Sequence, residues 1–417
     1  MASKLLIKNI KTLVQVRDEA PAKVCGKDMA ALPCIHNAWL AVEDGLIADY
    51  GSMDDFPGIT DWKGLEVVDA ADKIILPCYV DSHTHIVYAG NREGEFVDRI
   101  NGLSYEEIAK RGGGILNSAA LLRNTSEEEL FQQSLIRFNE IIASGTGAVE
   151  IKSGYGLNLE SELKILRVIK RLKDLNIIPV KATFLGAHAI PPEFKDNKEG
   201  YVQLIINDIL PAIAKEKLAD YIDVFCENGY FTAEETERIL VAGKKHGLVG
   251  KVHAEQLSHS NGIKTAIKCG AISVDHLEYC NDSDIAELLK SKTMPTVLPG
   301  AAFFLGLPLP PARKMIDAGL PIAFASDYNP GSSPSGNMNF MASLGCIQYK
   351  LTPEEVINAS TINSAYAMDV SNKLGSITRG KLANFILTKK INSYGFIPYS
   401  FSNNQIESVF INGSVFK

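Results

Sequence analysis

His83 and His85 are separated by one residue in the run Val80-Asp81-Ser82-His83-Thr84-His85. If this run is a strand, both imidazoles point to the same side, because side chains alternate along an extended chain. Two converging imidazoles make half of a site for an ion such as Zn²⁺ or Fe. His253 and Asp327 close two other apolar runs and can complete it. Three imidazoles and one carboxylate leave a position open for water, the pattern of a catalytic rather than a structural site. A lone histidine at a strand end is usually a satisfied polar residue. The pair together with His253 and Asp327 at matching strand ends is what favours a metal.

Such a set needs elements that bring distant segments to one place. Apolar runs at 78–82, 148–152, 178–184, 221–226, 249–253, 272–275, 293–298 and 322–326 predict eight strands. Longer amphipathic stretches separate them. Ser126 with Glu129, and Thr232 with Glu235, are capping boxes that open two of the helices; Gly145 and Gly247 mark their ends. Eight strands alternating with helices predict a closed parallel (β/α)8 barrel of the TIM type, an α/β fold whose working residues lie at the C-terminal strand ends. The residues at or just after those ends are His83 and His85, Lys152 with Tyr155, His188, Glu227, His253, His276 and Asp327. Five of the eight histidines fall there. Of the others, His36 falls in a predicted loop, His246 at a helix end where a cation suits the dipole, and His259 at a helix start.

Both ends of the chain are β-rich. Asp44-Gly45 between apolar runs predicts a hairpin, short strands are expected at 5–7 and 13–16, and strands return beyond Ser371 with Asn412-Gly413 as a turn. The expected organisation is a small β-sandwich domain assembled from 1–77 and 371–417, flanking a barrel at 78–370.

Composition excludes other classes. With 42 Lys and Arg against 49 Asp and Glu the chain of 417 residues carries a net charge of −7, and it has no basic run to displace counterions from a phosphate backbone. Nucleic acid is therefore not an expected partner. The longest uncharged stretch, 293–312, contains five prolines and cannot span a membrane as a helix. Lys8 and Lys11 interrupt the apolar N-terminus, so no secretory signal is expected. Seven cysteines, an odd number without regular spacing, suit free thiols in a reducing, cytoplasmic compartment.

The first-strand run resembles that of the amidohydrolase superfamily. Within it, several segments resemble the imidazolonepropionase family: Gly90-Asn91-Arg92-Glu93 with Glu95-Phe96, Gly112-Gly113-Gly114-Ile115, Lys152-Ser153-Gly154-Tyr155-Gly156, Leu185-Gly186-Ala187-His188, Asp275-His276-Leu277-Glu278, and Ser326-Asp327-Tyr328-Asn329-Pro330-Gly331-Ser332-Ser333. The HxH pair alone indicates only the superfamily; the glycine-rich loop and the two long motifs are far more specific.

The resemblance implies hydrolysis of 4-imidazolone-5-propanoate to N-formimino-L-glutamate in histidine degradation, by a homodimer with one Zn²⁺ or Fe ion per chain. It implies His83, His85, His253 and Asp327 as metal ligands. Arg92, Tyr105, Tyr155, His188, Gln256, Asn329, Gly331 and Ser332 would line the site of a small anionic substrate, with His276 near the reacting water. Asp327 would move the proton, His276 orient the water and His188 polarise the ring carbonyl. Arg92 offers a planar fork to the propanoate, which a protein of net charge −7 must attract locally; its rival use is an ion pair with Glu93 or Glu95. Gln256, three residues after His253, stands where some relatives carry Glu, and it can hydrogen-bond but not titrate. That argues against a base deaminase. Two further classes compete with the hydrolase reading: a two-metal cyclic amidase, with a carbamylated lysine or a bridging Glu227, and a non-catalytic scaffold, which would usually have lost its metal ligands.

Overall fold

The computed structural model describes residues 4–103, 107, 113–401 and 403–416. Its strands, in chain order, are β1 (Lys4–Val14), β2 (Cys34–Glu43), β3 (Leu46–Ser52), β4 (Leu65–Asp69), β5 (Lys73–Pro77), β6 (Tyr79–Thr84), β7 (Thr146–Lys152), β8 (Val180–Ala187), β9 (Tyr221–Cys226), β10 (Val249–Ala254), β11 (Ser273–His276), β12 (Met294–Val297), β13 (Ala323–Phe324), β14 (Phe385–Lys390), β15 (Ile406–Ile411) and β16 (Ser414–Val415).

Strands β6 to β13 form one parallel sheet in sequence order. It closes on itself where the Asp327 N–H donates to the His83 carbonyl at 3.0 Å and the His85 N–H donates to the Tyr328 carbonyl at 2.9 Å. All residues of β6, β7 and β9 are buried, as expected for strands with a filled barrel on one face and helices on the other. This is why these segments read as largely apolar runs without a regular apolar–polar alternation, broken by a few buried charges. Ser126 caps the helix Glu127–Ala143 by accepting from the Glu129 N–H, and the reciprocal box of Thr232 and Glu235 opens the helix Ala233–Lys245.

The second sheet has the order β16-β15-β14-β5-β1-β2-β3, with β4 also paired to β1. Its strands come from both ends of the chain, and β14 runs antiparallel to β5, Phe385 opposite Pro77. Only Cys78 separates β5 from the first barrel strand, so the two sheets are tied at that point. Ile7, Ile10, Leu13, Leu40, Phe385 and Phe410 fill its core, with the two phenylalanine rings stacked at 4.7 Å. Asp44 and Gly45 have φ of 52° and 78°, and Asn412 and Gly413 48° and 73°, so both turns take the doubly left-handed form that matches strand twist.

The structure corrects two details. The strands expected at 5–7 and 13–16 are one strand, β1, whose register shifts between Ile7 and Ile10 around Asn9 (φ 58°). A bulge carries the extra residue, so the polar interruption does not end the strand. His36 lies in β2 rather than a loop, with Nδ1 3.2 Å from Thr12 Oγ1 across the pair. Among the described residues, no helix is long and apolar enough to cross a membrane.

Candidate active site

Five imidazoles converge at the C-terminal mouth of the barrel. His83 and His85, on β6 and its exit, approach Nε2 to Nε2 at 3.3 Å. Asp327, after β13, places Oδ1 3.5 Å from both nitrogens. The His253 ring, from β10, lies 4.4 Å from that of His83 and 5.7 Å from that of His85. Two overlapping triads have ligand-type atoms close enough to share an ion: His83, His85 and His253, and His83, His276 and Asp327.

The donor atoms fit a cation. His83 Nδ1 lies 2.7 Å from Asp275 Oδ2 and His253 Nδ1 lies 3.0 Å from Asp223 Oδ2. A carboxylate only accepts, so His83 carries its proton on Nδ1 and presents a lone pair at Nε2, and His253 faces Asp223 in the same sense, with neither of its ring nitrogens hydrogen-bonded among the described residues. Burial, with Lys152 and His188 among the neighbours, holds His83 and His85 well below the usual imidazole range and hence neutral. Among the described residues, His253 Nε2 and Asp327 Oδ1 are buried without a hydrogen-bond partner. Acceptors turned on one another in a dry site are costly unless something positive lies between them.

The strand exits are re-aimed by unusual backbone. Asp327 has φ 53°, His276 φ 88° and Leu277 φ 76°, conformations that cost a non-glycine residue about 1–3 kcal/mol each and concentrate at working sites. Asp327 Oδ2 accepts from Ser332 Oγ at 3.1 Å, and burial raises its carboxyl above the ordinary range. His276 is raised as well: burial opposes its charge, but Glu278, with Oε1 3.6 Å from Nδ1, together with Asp327 and Asp275 outweighs it.

Beside the imidazoles opens a cavity of about 590 Å³, lined among others by Tyr155, His188, Phe225, Gln256, Arg92, Arg99 and the loop residues Asn329, Gly331 and Ser332. His188 Nδ1 lies 3.0 Å from the Gly154 carbonyl, so it is the protonated nitrogen, and burial pushes the ring down to about 3, leaving it neutral.

Residues 74–416 match the amidohydrolase family. The chain is 57% identical over 411 residues to the imidazolonepropionase of Christiangramia forsetii, covering 99% of each, and 58% identical over 410 residues to that of Flavobacterium johnsoniae, covering 98% of this chain and 99% of the other. The chain belongs to the imidazolonepropionase family of amidohydrolases. Solved amidohydrolase structures share the fold at low identity: a triazine hydrolase variant at TM-score 0.75 and 14% identity, covering 99% of this chain and 94% of that one, and a zinc-bound adenosine deaminase from Xanthomonas campestris at 0.70 and 14%, covering 99% and 92%.

In this amidohydrolase the expected site residues come together, with exceptions of detail. Tyr105 lies outside the described residues. Arg92 lines the cavity but also donates from Nε and Nη2 to Glu95 Oε2 at 2.8 and 2.6 Å, so the rival ion pair is real. Nη1 is not part of that pair, and a side chain on Gly331 would overlap it. Asn329 spends its amide inside the loop, donating to the Asp327 carbonyl and Ser332 Oγ and accepting from the Gly331 and Ser332 N–H groups. It shapes the loop. With Nδ1–H given to the Gly154 carbonyl, the neutral His188 ring presents Nε2 to the cavity as an acceptor. Glu227 belongs to neither triad. It accepts from the Gln256 and Leu257 N–H groups and from Ser258 Oγ, which removes the bridging carboxylate of a two-metal amidase. Glu255 turns out of the mouth and caps the Gly262 and Ile263 N–H groups.

Three contributors were not found from the sequence. Arg99 reaches the cavity and donates to the Gly331 carbonyl at 3.1 Å. It is seven residues after Arg92 on the helix Glu93–Ile100, and a shared face at that spacing was the available signal. Asp223 lies within β9, and Glu162 accepts from the Gly154, Gly156 and Leu157 N–H groups, shaping the loop that carries Tyr155.

Proposed function

We propose that the protein hydrolyses 4-imidazolone-5-propanoate to N-formimino-L-glutamate, with one Zn²⁺ or Fe ion held by His83, His85, His253 and Asp327. The near full-length identity of 57–58% to imidazolonepropionases carries the proposal, and the convergence of the expected residues on one cavity supports it. When bound, the ion lowers the pKa of water at the site from 15.7 to roughly 7. Asp327 takes the proton of the attacking water on the carboxylate that Ser332 holds, and returns it to the ring nitrogen as the C–N bond breaks. His276, steadied by Glu278, orients that water. His188, as an acceptor, receives a ring N–H, while Tyr155 and Gln256 wall the ring.

The same proposal places the protein in the cytoplasm as a homodimer, consistent with seven free cysteines. It divides the chain into a barrel at 78–370 and a composite β domain of 1–77 and 371–417, as the two separate sheets suggest. Incubation with enzymatically prepared imidazolone propanoate should abolish its ultraviolet absorbance and yield N-formimino-L-glutamate. A metal-loaded protein that leaves the compound intact would refute the assignment.

Arg92, Glu95 and Arg99 sum to one net positive charge beside the cavity, where the propanoate arm of the substrate would lie. A charge-assisted hydrogen bond contributes roughly 1.5–3 kcal/mol. At 1.4 kcal/mol per factor of ten, Arg92→Leu should lower kcat/KM about tenfold to a hundredfold, mostly through KM. Arg92→Lys should recover only part, because a point charge lacks the fork. An imidazolone whose arm ends in a neutral amide is the control. Equal losses on acid and amide would make Arg92 a support for Gly331 and leave the arm to another group.

A further inference from the structure

Below the imidazoles the barrel encloses five ionisable side chains that touch neither the substrate nor the reacting water in the chemistry above. Glu150, Lys152, Asp223, Lys251 and Asp275 are each no more than 1% exposed. Lys152 Nζ donates to Glu150 Oε1 at 2.6 Å and Asp223 Oδ2 at 2.8 Å, and stands 3.7 Å from Asp275 Oδ2. Lys251 Nζ donates to Glu150 Oε2 and, at 2.8 Å, to the Ser82 carbonyl, and stands 3.9 Å from Asp275 Oδ2. Stability is a poor reason for such a cluster, since well-packed apolar side chains in place of a buried ion pair are often as stable or more so. Its upper surface shows another use. Asp275 and Asp223 are the carboxylates that face Nδ1 of His83 and His253.

We propose that Lys152 is a positioning residue for the metal centre. One ammonium group, lying between the two aspartates, aims both carboxylates at Nδ1 and so turns both Nε2 lone pairs toward the ion. Ser273 Oγ, donating to Asp275 Oδ1 at 2.7 Å, and the backbone N–H groups of Val224 and His253, donating to Asp223 Oδ1 at 2.7 and 3.1 Å, hold the other oxygens. Asp223 is thereby hydrogen-bonded at both oxygens, and Asp275 is hydrogen-bonded by Ser273 at Oδ1 and faces His83 and the Lys152 ammonium at Oδ2. The register of β10 against β11, with His253 opposite Asp275, puts the cluster directly beneath the ligands.

The proposal rests on the metal assignment above, and two effects of removing Lys152 have opposite signs. Coulomb attraction alone makes a cation bind more tightly once a nearby positive charge is gone. Lost aim of the ligand-orienting partners makes it bind more weakly, typically by 10–100-fold. The full-length protein, stripped of metal and titrated with Zn²⁺ against a competing chelator, decides between them. Lys152→Met, folded by circular dichroism, should bind Zn²⁺ about tenfold to a hundredfold more weakly than wild type. Asp275→Asn should weaken it in the same direction. Affinity equal to or tighter than wild type in folded Lys152→Met overturns the proposal, even if thermal stability falls. If Lys152→Met does not fold, imidazole ¹⁵N spectra of the wild type decide. Protons on Nδ1 of His83 and His253, with weaker Zn²⁺ binding in Asp275→Asn, support the proposal; protons on Nε2 overturn it. A wild type that binds no Zn²⁺ or Fe refutes the metal assignment itself, a different failure from variants that bind as tightly as wild type.

Discussion

Asp327→Asn should lower kcat by about 10²–10⁴-fold, the usual contribution of a positioned acid–base group, while the protein keeps most of its metal. The amide oxygen can still face His83 and His85 as Oδ1 does now, but it cannot accept a proton. His276 orients the water but lacks the second oxygen that Ser332 holds on Asp327. The other carboxylate on the cavity wall is Glu95, which already accepts from Arg92 and the Gly114 N–H. Glu255 is turned to a helix start, and Gln256 does not titrate. The loss should therefore fall on kcat and leave KM nearly unchanged, as for an interaction made in the transition state. Metal content by mass spectrometry and steady-state kinetics on the same sample separate this from ligand loss. Near-normal turnover would remove Asp327 from proton transfer.

The strand ends were legible in the sequence because a barrel strand buried on both faces leaves a mostly apolar run, and the histidines and Asp327 that close such runs mark the mouth. That rule located His83, His253, His276 and Asp327. It left Glu227 open as a bridging carboxylate, because it gives the position of a residue but not its direction. Just past the strands the chain takes left-handed conformations, at Glu255 (φ 52°) as at His276 and Asp327, and alternation no longer tells which side a group faces. The same limit hid the role of His188. The motif placed the ring, but its tautomer depends on the Gly154 carbonyl, which is 34 residues away. Lys152 was visible only as a strand-end lysine. Apart from Glu150 on its own strand, its partners lie on β9 and β11, and their meeting depends on the register across the barrel, which no local pattern encodes.

The two triads of ligand-type atoms make opposite predictions for His253 and His276. They share His83, and the first adds His85 and His253 while the second adds His276 and Asp327. The orientation of the rings favours His253. Its Nδ1 faces Asp223, its Nε2 has no hydrogen-bond partner among the described residues, and its ring is 4.4 Å from that of His83, against 5.6 Å for His276. His276 also turns Nδ1 to a carboxylate, but Glu278 stands at 3.6 Å against 3.0 Å for Asp223 and His253, so the His276 ring is the less firmly aimed of the two. His253→Ala should therefore weaken Zn²⁺ binding by more than the roughly hundredfold that loss of an outer partner costs, and activity should fall to background. Excess Zn²⁺ should not restore it, because the proton geometry depends on the lost ligand. His276→Ala should retain about one ion per chain while kcat falls about 10²–10⁴-fold. Dialysis followed by metal analysis of both variants gives the answer before any substrate is added. If His276→Ala loses the ion and His253→Ala keeps it, the ligands are His83, His276 and Asp327. The orienting of water would then pass to His253, whose Asp223 contact would hold it as Glu278 now holds His276.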